Sequence, residues 1–140
     1  MTYLVERIAE LRKHLDHLRE LRPRVSTPRD LESDLSLHND VLFSLLTVSQ
    51  VVIDLAGELS AREGRTFEDY TTAVRNLGRL PGFPPEMVRE LARLPGFRNI
   101  VVHEYVELDL ELVLRALDRL DPVEEFMEAV GAWMDRKGHD

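Results

Sequence analysis

Val41-Leu42-Phe43-Ser44-Leu45-Leu46-Thr47-Val48-Ser49-Gln50-Val51-Val52-Ile53-Asp54-Leu55-Ala56-Gly57-Glu58-Leu59 reads as one continuous helix. Val41, Leu45, Val48, Val52, Leu55 and Leu59 recur at alternating steps of four and three, the period of a buried helical stripe. Leu42, Val51 and Ala56 widen that stripe beyond one face. A helix apolar on more than one side packs on several neighbours, so this one is central. No stretch elsewhere alternates as a strand would. The fold expected is all-α, an antiparallel bundle of four to five helices in a single domain spanning residues 1–140.

Upstream, Thr27-Pro28-Arg29-Asp30 has the form of a helix start, with Thr27 as N-cap, Pro28 at the first helical position and an acid three residues on. The central helix is therefore expected to run from Pro28 to about Glu58-Leu59, with His38-Asn39-Asp40 as a polar early section at a surface or interface. Before it, Leu4, Ile8, Leu11, Leu15 and Leu18 form the seam of a first helix ending at Pro23. His14 and His17 flank that seam. No third ligand type lies near them, so they read as surface residues.

Downstream, Thr66-Phe67-Glu68-Asp69 is a second capping signal, opening a helix to Gly78. Leu80 to Pro85 is a non-helical connection. Met87, Val88, Leu91 and Leu94 form a short apolar helix broken at Leu94 by Pro95, and the next helix restarts at Pro95. Asp109 caps a last helical region, which Asp121-Pro122 kinks or restarts.

The chain lacks Cys, which fits a reducing cytoplasm. It shows no signal peptide and no run of 18 uninterrupted apolar residues, so no membrane association is expected. A net charge of −8 argues against sequence-blind attraction to nucleic acid. Locally the balance reverses: from Arg75 to Arg98 five arginines face two glutamates, a net +3 that leaves −11 on the remainder. A solvated helix face accounts for this, and a phosphate-guiding patch is the alternative. There is no Gly-rich phosphate loop and no zinc spacing, so neither cofactor nor metal is expected.

The stretch that carries chemistry is Gly96-Phe97-Arg98-Asn99-Ile100-Val101-Val102-His103-Glu104-Tyr105. At about 100° per residue, Phe97, Ile100 and Val101 share a buried stripe, while Arg98, Asn99, Val102 and His103 spread over the opposite arc. A lone helical His is usually a surface residue. Here it stands beside a fixed cation and an amide, with an apolar Val102 between them that suits a protein partner better than water. A second copy of the chain fits that role, since a twofold interface brings the same patch against itself.

Arg98-Asn99-x-x-Val102-His103-x-Tyr105, preceded by Gly96-Phe97, resembles the signature of the HepT branch of the HEPN superfamily. Those are small all-α toxin ribonucleases paired with minimal nucleotidyltransferase antitoxins. Leu31-Glu32-Ser33-Asp34, the helix holding Ile53-Asp54-Leu55, and the tail from Val106 to Phe126 fit the family's order of elements, so the likeness covers roughly residues 3 to 130. The chain departs from the pattern at Ser44-Leu45-Leu46-Thr47, where the family shows a more polar Asn-Leu-Gln-Arg-like run, and at Pro95.

The side chains suit metal-free cleavage of RNA through attack of the 2′-hydroxyl on the adjacent phosphorus, which leaves DNA untouched. His103 supplies a group that exchanges protons near neutrality. Arg98 supplies a permanent cation for the extra negative charge on phosphorus. Asn99 can orient His103 or hold a phosphate oxygen. Arg98 and His103 lie about 140° apart on a straight helix, so the arginine's reach or a twofold partner must complete the site. Tyr105 by spacing alone is packing. The resemblance implies that it accepts AMP from the nucleotidyltransferase antitoxin, an anionic adduct that would block RNA. By helical projection Tyr105 falls on the side of Arg98, which would supply the adduct's counter-charge. The rival reading is a non-catalytic helical dimer that binds a nucleotide or such a partner.

Overall fold

The computed structural model describes residues 1–138. Among these, helices supply all the regular structure: α1 (Thr2–Leu21), α2 (Pro28–Glu32), α3 (Leu35–Arg62), α4 (Tyr70–Asn76), α5 (Pro85–Leu91), α6 (Leu94–His103), α7 (Leu110–Leu117) and α8 (Asp121–Arg136), with single 3₁₀ turns at Arg22–Arg24, Leu77–Arg79 and Tyr105–Glu107. The all-α bundle read from periodicity is the fold observed.

The stripe Val41, Leu45, Val48, Val52, Leu55 and Leu59 is buried along its whole length, as are Leu42, Val51 and Ala56. By length and composition α3 could cross a membrane, yet 61% of its most apolar window is buried inside the bundle, as befits a core helix. Long-range pairs give the directions of its neighbours. Arg7 meets Asp54, His14 meets Ser44, and His17 meets Asp40, so α1 runs antiparallel to α3. Arg12 and Arg19 both hold Glu124, and Arg22 holds Asp118, which sets α8 and the turn before it antiparallel to α1. At the far end Trp133 Nε1 donates to Glu63 over 2.8 Å, tying α8 to the exit of α3.

Three expectations need correcting. The central helix does not run unbroken from Pro28: α2 ends at Glu32, and Asp34 caps a fresh start by accepting the Leu37 N–H at 3.0 Å. An Asx cap satisfies an orphan donor that a continuous helix would not leave. The α4 cap is Asp69 rather than Thr66, its carboxylate accepting the Thr72 N–H at 2.7 Å. His14 is not a surface residue. Its ring nitrogens lie 3.0 Å from Ser44 Oγ and 3.1 Å from Glu10, and its ring packs 5.7 Å from that of Phe43.

The remaining boundaries follow the punctuation in the chain. Asp30 accepts the Ser26 and Thr27 N–H groups at 2.7 and 3.0 Å, and these two bonds hold its carboxyl below the usual range. Asp109 caps α7 through the Glu111 N–H at 3.0 Å. Asp121-Pro122 starts a new helix, α8, with its proline in the first turn.

Candidate functional site

The site is built on α6, whose ends are set locally. Pro95 occupies its first turn, where a missing N–H costs nothing. At the other end Glu104 leaves helical geometry (φ −126°, ψ 27°), and its N–H closes on Ile100 at 2.8 Å. The helix therefore carries Arg98, Asn99, Val102 and His103 but stops before Tyr105.

Of the expected buried stripe only Val101 is fully buried. Phe97 and Ile100 are half-buried and line an apolar groove of about 390 Å³ with Leu45, Val48 and Leu112. The outer arc is as projected, with Asn99 and His103 exposed and Val102 45% exposed.

Arg98 is half-buried and held at two points. Its Nε donates to Gln50 Oε1 at 3.0 Å and its Nη1 to Asn99 Oδ1 at 3.1 Å. A guanidinium has five N–H donors, so most of its fork stays available to an anion. Asn99 thus steadies Arg98; among the described residues its side chain makes no hydrogen bond to His103. The arginine-rich approach to the motif is partly self-neutralised, since Arg89 pairs with Glu86 at 2.5 Å and Arg93 faces Glu90 at 3.9 Å. The first pair is solvent-exposed and the second partly so; both are weak and match a solvated face better than a phosphate guide.

Tyr105 departs most from the helical projection. It opens the 3₁₀ turn Tyr105–Glu107 and swings to the early part of α3. There its hydroxyl donates to Asn39 Oδ1 at 2.6 Å, and its ring stands perpendicular to that of His38, the centroids 5.7 Å apart. Gln50 and Asn39 are eleven residues apart on α3, about 16 Å of helix axis. Arg98 and Tyr105 are therefore anchored far apart within one chain, not side by side. Next to Tyr105 lies an open cavity of about 670 Å³, lined by Leu35, His38, Val106 and the acids Glu32, Asp109 and Glu111.

Reading the motif alone missed the α3 half of the site. Asn39, Phe43, Leu46, Gln50 and Asp54 recur at helical steps and form a second, mixed stripe on the face turned to α6 and α1. Phe43 is 63% exposed on it. The signal was present as polar positions at a constant helical phase within an otherwise apolar helix. Among the described residues, no cluster of three His, Asp or Glu side chains is gathered to hold a metal ion.

The family model described as "Ribonuclease HepT-like" matches residues 11–130. Several solved structures are similar in fold. A tri-AMPylated Shewanella oneidensis HEPN toxin in complex with an MNT antitoxin is 21% identical with a TM-score of 0.80, over 92% of this chain and 96% of that one. A toxin–antitoxin structure with AMP-PNP is 19% identical with a TM-score of 0.81, over 94% and 99%. A mutant of the toxin–antitoxin MntA–HpeT is 18% identical with a TM-score of 0.79, over 92% and 98%. No curated protein matches the chain.

Proposed function

Because the chain belongs to the HepT-like ribonuclease family of the HEPN superfamily, we propose that it is the toxin of a toxin–antitoxin pair. In this reading it is a metal-independent endoribonuclease, silenced by AMP transfer to Tyr105 from a nucleotidyltransferase antitoxin. The observation that carries the catalytic part is Arg98: a cation held in place by Gln50 and Asn99, one helical stretch from an exposed His103, with most of its donors uncommitted to protein partners. That pairing is what 2′-hydroxyl attack requires.

His103 takes the proton of the 2′-hydroxyl as its oxygen bonds to phosphorus. The bond from phosphorus to the 5′ oxygen breaks, and a protonated imidazole returns a proton to that leaving oxygen. A cyclic phosphate and a free 5′-hydroxyl result. Arg98 steadies the added negative charge on the phosphoryl oxygens. Because one imidazole cannot serve both faces of an in-line displacement at once, a second copy completes the site. Exposed Val102 and Phe43 provide the apolar patch for that homodimer, with the two motifs facing across the twofold axis. RNA is the substrate; DNA, lacking the 2′-hydroxyl, is not, and the reaction takes place in the cytoplasm.

Tyr105 suits the modification. It is 44% exposed beside a cavity whose size falls in the range of small-molecule sites. Its separation from Arg98 along α3, and the acids around it, argue against a contact between the adduct's phosphate and the same chain's Arg98. The block acts instead by bulk and charge in the path of RNA, or on the Arg98 of the second copy. RNA digestion in EDTA by the wild type, Arg98→Ala and His103→Ala tests the catalytic part: loss in both variants supports it, and equal cleavage refutes it.

A further inference from the structure

Arg98 is the end of a chain of polar contacts that crosses three helices. Its Nε donates to Gln50 Oε1 at 3.0 Å, Gln50 Nε2 donates to Asp54 Oδ1 at 2.9 Å, and Arg7 Nη2 reaches Asp54 Oδ2 at 3.2 Å. The Arg7 and Asp54 side chains are only 30% and 32% exposed, and Arg7 Nε is buried without a partner. Bringing two charges and an amide this far out of water on an apolar helix carries a desolvation cost.

The chemistry of the groups fixes the order. A carboxylate only accepts, so Asp54 commits the Gln50 amide: its NH₂ must face Asp54, which leaves its oxygen for Arg98. Gln50 thereby stands between Arg98 and Asp54 in the chain of contacts, a neutral amide rather than a carboxylate against the guanidinium. A carboxylate there would neutralise the guanidinium that a phosphate needs. Arg7 occupies the second oxygen of Asp54 and so compensates the carboxylate from the side away from the site.

We propose that Gln50 and Asp54, backed by Arg7, are positioning residues for cleavage: they aim the Arg98 fork at the scissile phosphate while keeping its charge unspent. This rests on the ribonuclease reading above. A loosened guanidinium still attracts RNA but no longer meets the phosphoryl oxygens in the transition state, so the loss falls on kcat.

The decisive experiment measures kcat and KM on RNA for Gln50→Leu in the wild-type and Arg98→Lys backgrounds, since lysine lacks the Nε–H that Gln50 holds. About a tenfold fall in kcat is expected in the wild type, with KM within about twofold, and less than about a twofold fall in Arg98→Lys. Equal losses in both backgrounds assign Gln50 to structure and overturn the proposal, as does no loss in the wild type. Should Gln50→Leu fold poorly, Asp54→Ala and Asp54→Asn replace it. Alanine frees the amide to turn and lowers kcat, whereas asparagine keeps an acceptor and restores most of it; equal activity of the two overturns the relay.

The ¹⁵N–¹H resonance of Arg98 Nε gives a readout independent of turnover. It is expected sharp in the wild type and broadened in Gln50→Leu, and an unchanged signal removes the contact. Unimpaired cleavage by Arg98→Ala defeats the ribonuclease reading itself, whereas loss in Arg98→Ala with none in Gln50→Leu defeats the relay alone.

Discussion

The Tyr105 hydroxyl donates to Asn39 Oδ1 across 2.6 Å, joining the turn after α6 to the early part of α3. That bond draws the phenol out of line with Arg98, and it leaves the tyrosine 44% exposed at the mouth of an open cavity. A residue merely packed would bury its ring more fully.

Tyr105→Phe is expected to cleave RNA as the wild type does, yet to resist inactivation by a nucleotidyltransferase partner and ATP. Intact-mass spectrometry after incubation with both is the check. Adenylyl mass on the wild type and none on Tyr105→Phe is the predicted pattern; undiminished adduct on the variant places the modification elsewhere.

Val102→Asp is expected to convert a dimer to a monomer and to reduce cleavage with it. A charge facing its own symmetry copy across a twofold is repelled and desolvated. Sedimentation at tens of micromolar reads the first effect, by order of magnitude for a modest interface. A wild type that sediments as a monomer, with Val102→Asp fully active, contradicts the dimeric site.

Glu124 is expected to contribute to acid stability. Hydrogen bonds from Arg12 and Arg19 bring its carboxyl down to about 2, against an ordinary value of 4.5. A depressed carboxyl contributes stability that is complete above its unfolded pKa and disappears as pH falls through the folded one. The loss in denaturant midpoint is therefore expected between pH 4.5 and about 2. Glu124→Gln should flatten that slope and cost on the order of 1 kcal/mol at neutral pH, given partial exposure and solvent screening. Identical slopes for both proteins contradict the assignment.

Much of the architecture was legible because the period of Val41 to Leu59 admits one secondary structure, while Pro95 marks a boundary set by backbone sterics and Asp109 one set by a side-chain cap. What the linear pattern missed depends on tertiary contacts. The break before Asp34 replaces a continuous helix with a capped restart, which periodicity on either side does not register. Asp69 rather than Thr66 caps α4 because local turn geometry chooses among neighbouring oxygens. Helical projection put Tyr105 beside Arg98, since no residue near Glu104 announces that α6 stops there. Gln50 and Asn39 became part of the site only through packing of α6 on α3. The family model and the observed fold agree with the resemblance carried by Arg98, Asn99, His103 and Tyr105.

The most direct test of the central claim is RNA cleavage by wild type and His103→Ala, side by side in EDTA, with the products examined for a cyclic phosphate. Cleavage by the wild type is expected, with a loss of about 10²-fold or more in the variant and a cyclic phosphate paired with a free 5′-hydroxyl among the products. Equal cleavage by the two proteins, or activity that vanishes with EDTA, would contradict it.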